Sequence, residues 1–424
     1  MEDRKKKQRY YLCIDMKSFY ASVECALIGA NPFETNLVVA DESRGKGAIC
    51  LAISPRMKAL GVKNRCRLFE IPKGIDYIIA KPRMQKYIEF AGDIYSLYLD
   101  YFSKDDIHVY SIDESFLDVT DYLKMYNKSP YEIAKFLINQ IAFQTHVPAT
   151  VGIGTNMFLA KIALDITAKK SPEHIGYLDE EKFKKELWTH KPITDFWQIA
   201  GGTANRLLHM GIMDMKGIAN CQESLLYKTF GINAELLIDH ANGRESCTIA
   251  DIKAYKAKSK SISLSQILFE DYPFEKARIV VKEMTLNGCE EMMRRHVSCN
   301  RISLYVGYSK DIHEATGGSS KLTVTTNLYS HIIDDMLNLF DQTTDGTALI
   351  RRLGVSFSSL CDSDCEGYDL FSNFDMIDKE KKSEKAVLNI KDKFGKNSIV
   401  RAMDLDEGAT QVERNKLIGG HNGT

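Results

Sequence analysis

Two adjacent carboxylates, Asp113 and Glu114, sit in the run VYSIDESFLDVT (residues 109–120) among β-forming and apolar neighbours. A third, Asp15, closes the apolar run YYLCID (residues 10–15). Buried acids need partners, and a divalent cation is the partner that tolerates two or three of them. If these runs are neighbouring strands of one sheet, the three acids make a cage at the strand ends. Such a cage suits two Mg²⁺ ions about 4 Å apart, which can activate a 3′-hydroxyl and hold a triphosphate for in-line displacement. Taken alone, the Asp-Glu pair reads equally as a solvated turn that ends a strand. Lys58 and the pair Lys169–Lys170 could meet phosphates, although a lysine on a helix face or at a helix C-terminus often does no more than favour solvent or the macrodipole.

The elements that must position these residues follow from periodicity. Residues 10–15 read as a buried strand and 18–27 as a helix starting directly after it, so Asp15 lies at a strand end above a helix first turn. The free N–H groups there, at Phe19 and Tyr20, suit a phosphate. Adjacent strand residues point to opposite faces, so a tight hairpin is the way to aim Asp113 and Glu114 at one place. Further strands are expected at 36–40, 49–53, 75–80 and 149–153, with helices at 54–60, 83–102, 131–143 and 156–167, the second of these strands leading into the helix that carries Lys58. This alternation predicts a mixed α/β domain over the first 180 residues.

Residues 183–219 change to short helices and tight turns. Within them IAGGTANRLLHMGI, with Gly201 and Gly202, reads either as a helix-hairpin-helix whose amides hold a DNA phosphate or as an ordinary helical corner. The lysine-rich segment 251–260 (DIKAYKAKSK) reads as a linker, lying along a polyanion or merely solubilising. Beyond it, four strands and two helices predict a compact α+β module whose alternating strands leave one face open for binding. After residue 360 the core pattern fades, leaving a mobile tail with one helix near 382–394.

A chain of 424 residues calls for two to four domains. With 44% hydrophobic and 27% charged residues it is an ordinary soluble composition, and a net charge of −1 means that any basic surface must be local. The ten cysteines lack metal-ligand spacing and read as free thiols of a reducing cytosol. No apolar run approaches about 18 residues, so no membrane span and no signal peptide is expected, and a cytoplasmic setting is.

The runs CIDMKSFYASVE, MKALGV, SIDESFLDV and VGIGTNMFLAKIALD, in that order, resemble the Y-family of translesion DNA polymerases, in the UmuC-like (ImpB/MucB/SamB-type) branch of Gram-positive bacteria, their plasmids and phages. The resemblance covers nearly the whole chain, including the tail KFGKNSIVRAMDLDEGATQVERNKLIGGH. It implies a right-hand polymerase of α/β and α+β domains. The palm would span 1–35 and 78–180, small fingers 36–77, and a small helical thumb with a degenerate helix-hairpin-helix 181–245. A basic linker over 246–258 would lead to a little finger over 259–362 and a flexible tail over 363–424.

By motif, Asp15, Asp113 and Glu114 become the metal-binding and catalytic carboxylates, with the Met16 carbonyl as an extra ligand and Glu114 beside the attacking hydroxyl. Tyr20, next to Phe19, falls on the steric gate that excludes a ribose 2′-OH. Lys58 and Lys169 fall on the incoming triphosphate, with one extra residue leaving Lys169 and Lys170 hard to separate. Many members carry a tyrosine three residues before the basic finger residue; here Pro55 stands there, which puts Ser54 forward as the substitute contact. Gly201, Gly202, Lys253, Lys256, Lys258 and Lys260 are the expected DNA contacts. In GYDLF (residues 367–371), Leu370 and Phe371 match a sliding-clamp peptide, or else form an anchor folding back on the little finger.

The implied activity is two-Mg²⁺, error-prone extension of primer–template DNA with dNTPs across damage, within the SOS response and at the nucleoid. A template-independent cyclase-type palm and a non-catalytic DNA-binding accessory protein are the rivals. The basic linker and second module count against the first, the intact acid set against the second.

Overall fold

The computed structural model describes residues 8–256, 261–309, 314–367 and 373–423, and these divide into two compact units, Met1–Lys256 with His421–Thr424, and Ala257–Gly420. No helix among the described residues is long and apolar enough to cross a membrane.

In the first unit, β1 (Tyr11–Met16) leads into α1 (Phe19–Leu27), followed by β2 (Leu37–Val39), β3 (Ala52–Ile53), α2 (Pro55–Ala59) and β4 (Ile78–Ala80). Next come α3 (Met84–Leu99), β5 (Ile107–Val109), β6 (Glu114–Asp118), α4 (Tyr122–Tyr126), α5 (Pro130–Thr145), β7 (Ala149–Gly154), α6 (Met157–Ile162) and β8 (Ile175–Leu178). The main sheet runs β5-β6-β1-β7-β8, antiparallel except for β7 beside β8. β1 is central because every residue in it except Asp15 is buried, as a strand covered on both faces must be. The strand β8 was not expected from the sequence; its four residues, IGYL, are too short to stand out locally. A second, three-stranded sheet, β3-β2-β4, has its own small core of Val38, Cys50, Ile53, Met57, Val62 and Ile71.

Two glycines let α6 lie directly on β7. A Cβ on Gly152 would fall 2.0 Å from the Ala160 carbonyl oxygen, and one on Gly154 would fall 2.1 Å from the Ala160 nitrogen. The register pairs these glycines with Cys13 and Tyr11, on the face of β1 that also carries Asp15. The helix is thereby held close over that face, sharing a cluster with Tyr11, Cys13 and Phe116.

Short helices α7 (Glu180–Glu186), α8 (Gly201–His209), α9 (Met215–Ala219), α10 (Glu223–Phe230) and α11 (Asn233–Ala241) follow, around a core shared with Phe158 and Leu159 of α6. The expected linker begins as a helix instead, α12 (Ile249–Ala254). Thr248 and Asp251 close a capping box, and Ile249, 2% exposed, joins the Tyr11–Phe116 cluster. Two apolar side chains spaced by three, Ile249 and Ile252, were enough to dock it.

The second unit comprises β9 (Ser261–Tyr272), α13 (Phe274–Arg294), β10 (Val297–Tyr308), β11 (Thr316–Thr326), α14 (Tyr329–Thr343) and β12 (Ile350–Ser358). Its antiparallel sheet runs β11-β10-β12-β9, and α13 and α14 share one core with its inner face. The outer face carries Ser263, Ser265, Ser303, Ser319 and Ser356 together with Arg301, Lys321 and Arg352.

The expected loose tail is folded. Helix α15 (Phe374–Phe394) packs on α13, and Lys391 meets the buried Glu290 at 2.6 Å. Glu283 of α13, only 1% exposed, accepts from the Thr410 N–H and the Gln411 N–H at 3.0 Å and from the Thr410 hydroxyl at 2.8 Å, capping α16 (Gln411–Arg414). These partners lie more than 100 residues apart, so the local composition reads only as a charged, solvated stretch. Residues 421–423 belong to the first unit, where the Gly423 carbonyl accepts from Gln85 N–H at 2.9 Å.

Candidate active site

Asp15 and Glu114 are cross-strand partners of β1 and β6, which places both carboxylates on one face at the end of the main sheet. Asp113 lies in the turn just before β6. Its carbonyl accepts from the Met16 N–H at 2.9 Å, and its side chain accepts from the Ser111 hydroxyl at 2.7 Å. The hairpin is closed by the Tyr110 and Ser111 N–H groups, which both reach the Glu114 carbonyl. The turn therefore does what alternation in a straight strand would forbid: it presents neighbouring acids at one place. Gathering them has an electrostatic cost, visible at Asp15, whose carboxyl is pushed up to about 7 by burial and then by Asp113 and Glu114.

Glu114 is the buried member, and its carboxylate is fully engaged. One oxygen is 2.9 Å from Lys161 Nζ and the other accepts from the Cys13 thiol at 3.1 Å. Lys161 also meets Asp165 at 3.1 Å. Burial works against the Lys161 ammonium, but the Glu114 and Asp165 carboxylates outweigh it and raise its pKa. No three acidic, histidine or cysteine side chains among the described residues are placed to hold an ion together. The donor set still fits a hard divalent cation. Asp15, Asp113 and Glu114 offer only oxygens, the strained ionisation of Asp15 is relieved by a cation, and burial keeps the Cys13 thiol protonated.

Around the acids stand cations and an aromatic ring. Burial lowers the pKa of Lys58, and Lys169 lowers it further while Asp15 opposes. Lys17 is lowered in the same way, by burial and then by Lys58. Lys58 thus acts on Lys17 and is acted on by Lys169, with Asp15 opposing at both Lys58 and Lys17. Lys17 is held without a carboxylate, its Nζ 3.3 Å from the His174 ring and 5.5 Å above the ring of Phe33. At the head of α1, no side chain caps the first-turn N–H groups that include Phe19 and Tyr20. Tyr20 is half-buried, and its phenol pKa is raised by burial and by Asp113.

Other expected positions fare differently. Ser54 is fully buried, caps α2 by accepting from Met57 N–H, and donates to the Thr35 carbonyl at 2.7 Å. Its hydroxyl is used up by the fold, because Pro55 at the first helical position makes Ser54 the cap. Lys253 is turned onto the Lys104 carbonyl and lies 3.9 Å from Asp105, so it is not a loose linker cation. Lys256 is exposed, whereas Lys258, Lys260, Leu370 and Phe371 lie outside the described residues. Gly201 and Gly202 open α8 with no side-chain cap and open space around their Cα atoms.

Sequence reasoning missed Lys161, Lys17 and the group around Tyr87 and Glu24 described below. Lys161 had a signal: a lone charge inside MFLAKI, a helix of which every residue is buried.

The impB/mucB/samB family matches residues 14–165, and the C-terminal domain of that family matches residues 259–370. A UV-damage repair protein of Bacillus subtilis, UvrX, is 34% identical, the match covering 97% of each chain. The DNA polymerase IV 2 of the same organism is 34% identical over 98% of this chain and 99% of that one. Among solved structures, a Y-family DNA polymerase chimera, Dbh-Dpo4(243-245)-Dbh, shares the fold with a TM-score of 0.63 at 21% identity, covering 83% of this chain and 99% of that chain.

Proposed function

This chain belongs to the impB/mucB/samB family, the Y-family of translesion DNA polymerases, and on that premise we propose how its residues carry out synthesis across damage. It is a DNA-directed DNA polymerase acting on primer–template DNA with dNTPs. The main sheet with α1, α3, α5 and α6 serves as palm, the three-stranded sheet with α2 as fingers, and α7–α11 as thumb. The second unit serves as little finger, and the linker shrinks to the residues after α12.

The observation that carries the site assignment is the pairing of Asp15 with Glu114 across β1 and β6, with Asp113 tied to the Met16 amide. Two Mg²⁺ ions held by Asp15, Asp113, Glu114 and the Met16 carbonyl would neutralise the triphosphate and acidify the primer 3′-hydroxyl. To join that set, Glu114 would have to give up Lys161, which would keep Asp165 as its partner. Lys58, Lys169 and Lys17 take the triphosphate, which would offset the repulsion of Lys58 with Lys17 and with Lys169. The head of α1 adds its free N–H groups. To the Tyr20 ring, half-buried and acted on by Asp113, we assign the exclusion of a ribose 2′-OH. Gly201 and Gly202 offer amides to a DNA phosphate, and the serine- and arginine-bearing face of the second unit tracks the backbone. Small fingers around this short-stranded sheet would check base-pair shape loosely, and low fidelity is expected from them. We place the enzyme in the cytoplasm at the nucleoid, within the SOS response, and assign Leu370 and Phe371 to a sliding clamp.

Primer extension with and without a template strand tests this. Product that follows the template, on undamaged and abasic strands alike, is expected; equal product without template would overturn the polymerase assignment in favour of a cyclase-type palm.

A further inference from the structure

Tyr20 is not a free-standing ring. Its face lies on that of Tyr87 from α3, with centroids 4.5 Å apart and planes 17° from parallel. Tyr87 is completely buried, and its hydroxyl donates to a Glu24 carboxylate oxygen at 2.7 Å. Glu24 is 3% exposed, and the Arg83 guanidinium closes on it, with Nε 3.2 Å from the same oxygen and Nη2 on the other. The spacing explains the arrangement. Tyr20 and Glu24 are four apart on α1, and Arg83 and Tyr87 are four apart at the head of α3, so each pair presents one face to the other. Tyr87 lies across both members of the α1 pair, its ring on Tyr20 and its hydroxyl on Glu24.

A buried carboxylate is costly unless paired and hydrogen-bonded, so this one has a structural reason to be where it is. A leucine at position 24 would pack two helices as well. What the carboxylate adds is direction: it fixes where the Tyr87 phenol ends, and hence the plane on which the Tyr20 ring can rest. Small displacements at a reacting centre have large effects on rate and selectivity, and an aromatic gate works by position alone.

We propose that Glu24, Arg83 and Tyr87 form a positioning clamp that sets the sugar discrimination of this polymerase by fixing the Tyr20 ring. The inference rests on the reading of Tyr20 as the gate, and the test separates the two. Single-nucleotide incorporation of a dNTP and the matching NTP is compared, as a ratio of kcat/KM, for wild type, Tyr20→Ala, Tyr87→Leu, Tyr87→Phe, Glu24→Gln and the double variant Tyr20→Ala with Tyr87→Leu. Tyr20→Ala should admit ribonucleotides. Tyr87→Leu should lower the dNTP/NTP ratio roughly tenfold, in the range expected for a misplaced contact group. Tyr87→Phe and Glu24→Gln should lower it less, and the double variant should match Tyr20→Ala alone, since no ring remains to be positioned. Should Tyr87→Leu fail to fold, the two conservative variants carry the test. A ratio unmoved by Tyr87→Leu, or by both conservative variants, while Tyr20→Ala moves it, overturns the clamp and leaves the gate standing. A ratio unmoved by Tyr20→Ala overturns the gate and the clamp with it.

Discussion

Lys161 gives the residue scale its sharpest test. It is the cation nearest Glu114 and, on the reading above, the partner that Glu114 exchanges when ions bind. Removing one member of a buried pair leaves an uncompensated charge, at a cost of about 3–5 kcal/mol. Lys161→Met should therefore lower the melting temperature, and added Mg²⁺ should restore more of it than it adds to wild type, because the freed carboxylate binds the ion without competition. An equal Mg²⁺ shift in the two proteins would contradict that exchange. At this scale the sequence was informative where chemistry is adjacent in the chain, as with Asp113 and Glu114. At Lys161 it offered only a lone charge in an apolar helix, because the acid that gives it meaning lies 47 residues away. Ser54, put forward as a substitute contact, has its hydroxyl taken up as the cap of α2.

At the scale of elements, the site depends on how closely α6 can approach β7. Gly152→Ala would drive a Cβ into the Ala160 carbonyl, a backbone atom that cannot swing aside. A loss of about 3 kcal/mol or more is expected in chemical denaturation, together with loss of activity, since the same helix carries Lys161. A variant as stable as wild type would refute the close seating. The tail makes a second case. Glu283→Ala should release residues 401–416 from α13, read as fast hydrogen exchange at the Thr410 and Gln411 amides while the second unit's sheet stays protected. Strands and helices with strong periodicity were legible in the sequence, including β1, the carboxylate hairpin and the four main strands of the second unit's sheet, though the first halves of β10 and β11 were cut short. Elements that depend on distant partners were not, which is why α12, β8 and the folded tail came only with the structure.

For the whole molecule, a net charge of −1 means that the hold on DNA must come from local basic surface. The open face of the second unit supplies Arg301, Lys321 and Arg352 among serines. Replacing Arg301 and Arg352 by alanine should weaken DNA binding and reduce the slope of log affinity against log salt by about two, near 0.9 per lost phosphate contact. An unchanged slope would move the grip elsewhere. The central claim is that Asp15 and Glu114 on neighbouring strands, with Asp113 in the turn between β5 and β6, make this chain a templated polymerase. Its most direct measurement is Mg²⁺-dependent primer extension by wild type and by Asp113→Ala with Glu114→Ala, with DNA affinity measured alongside. The account predicts that extension is abolished while binding stays within a few-fold; synthesis at the wild-type rate by the doubly substituted protein would contradict it.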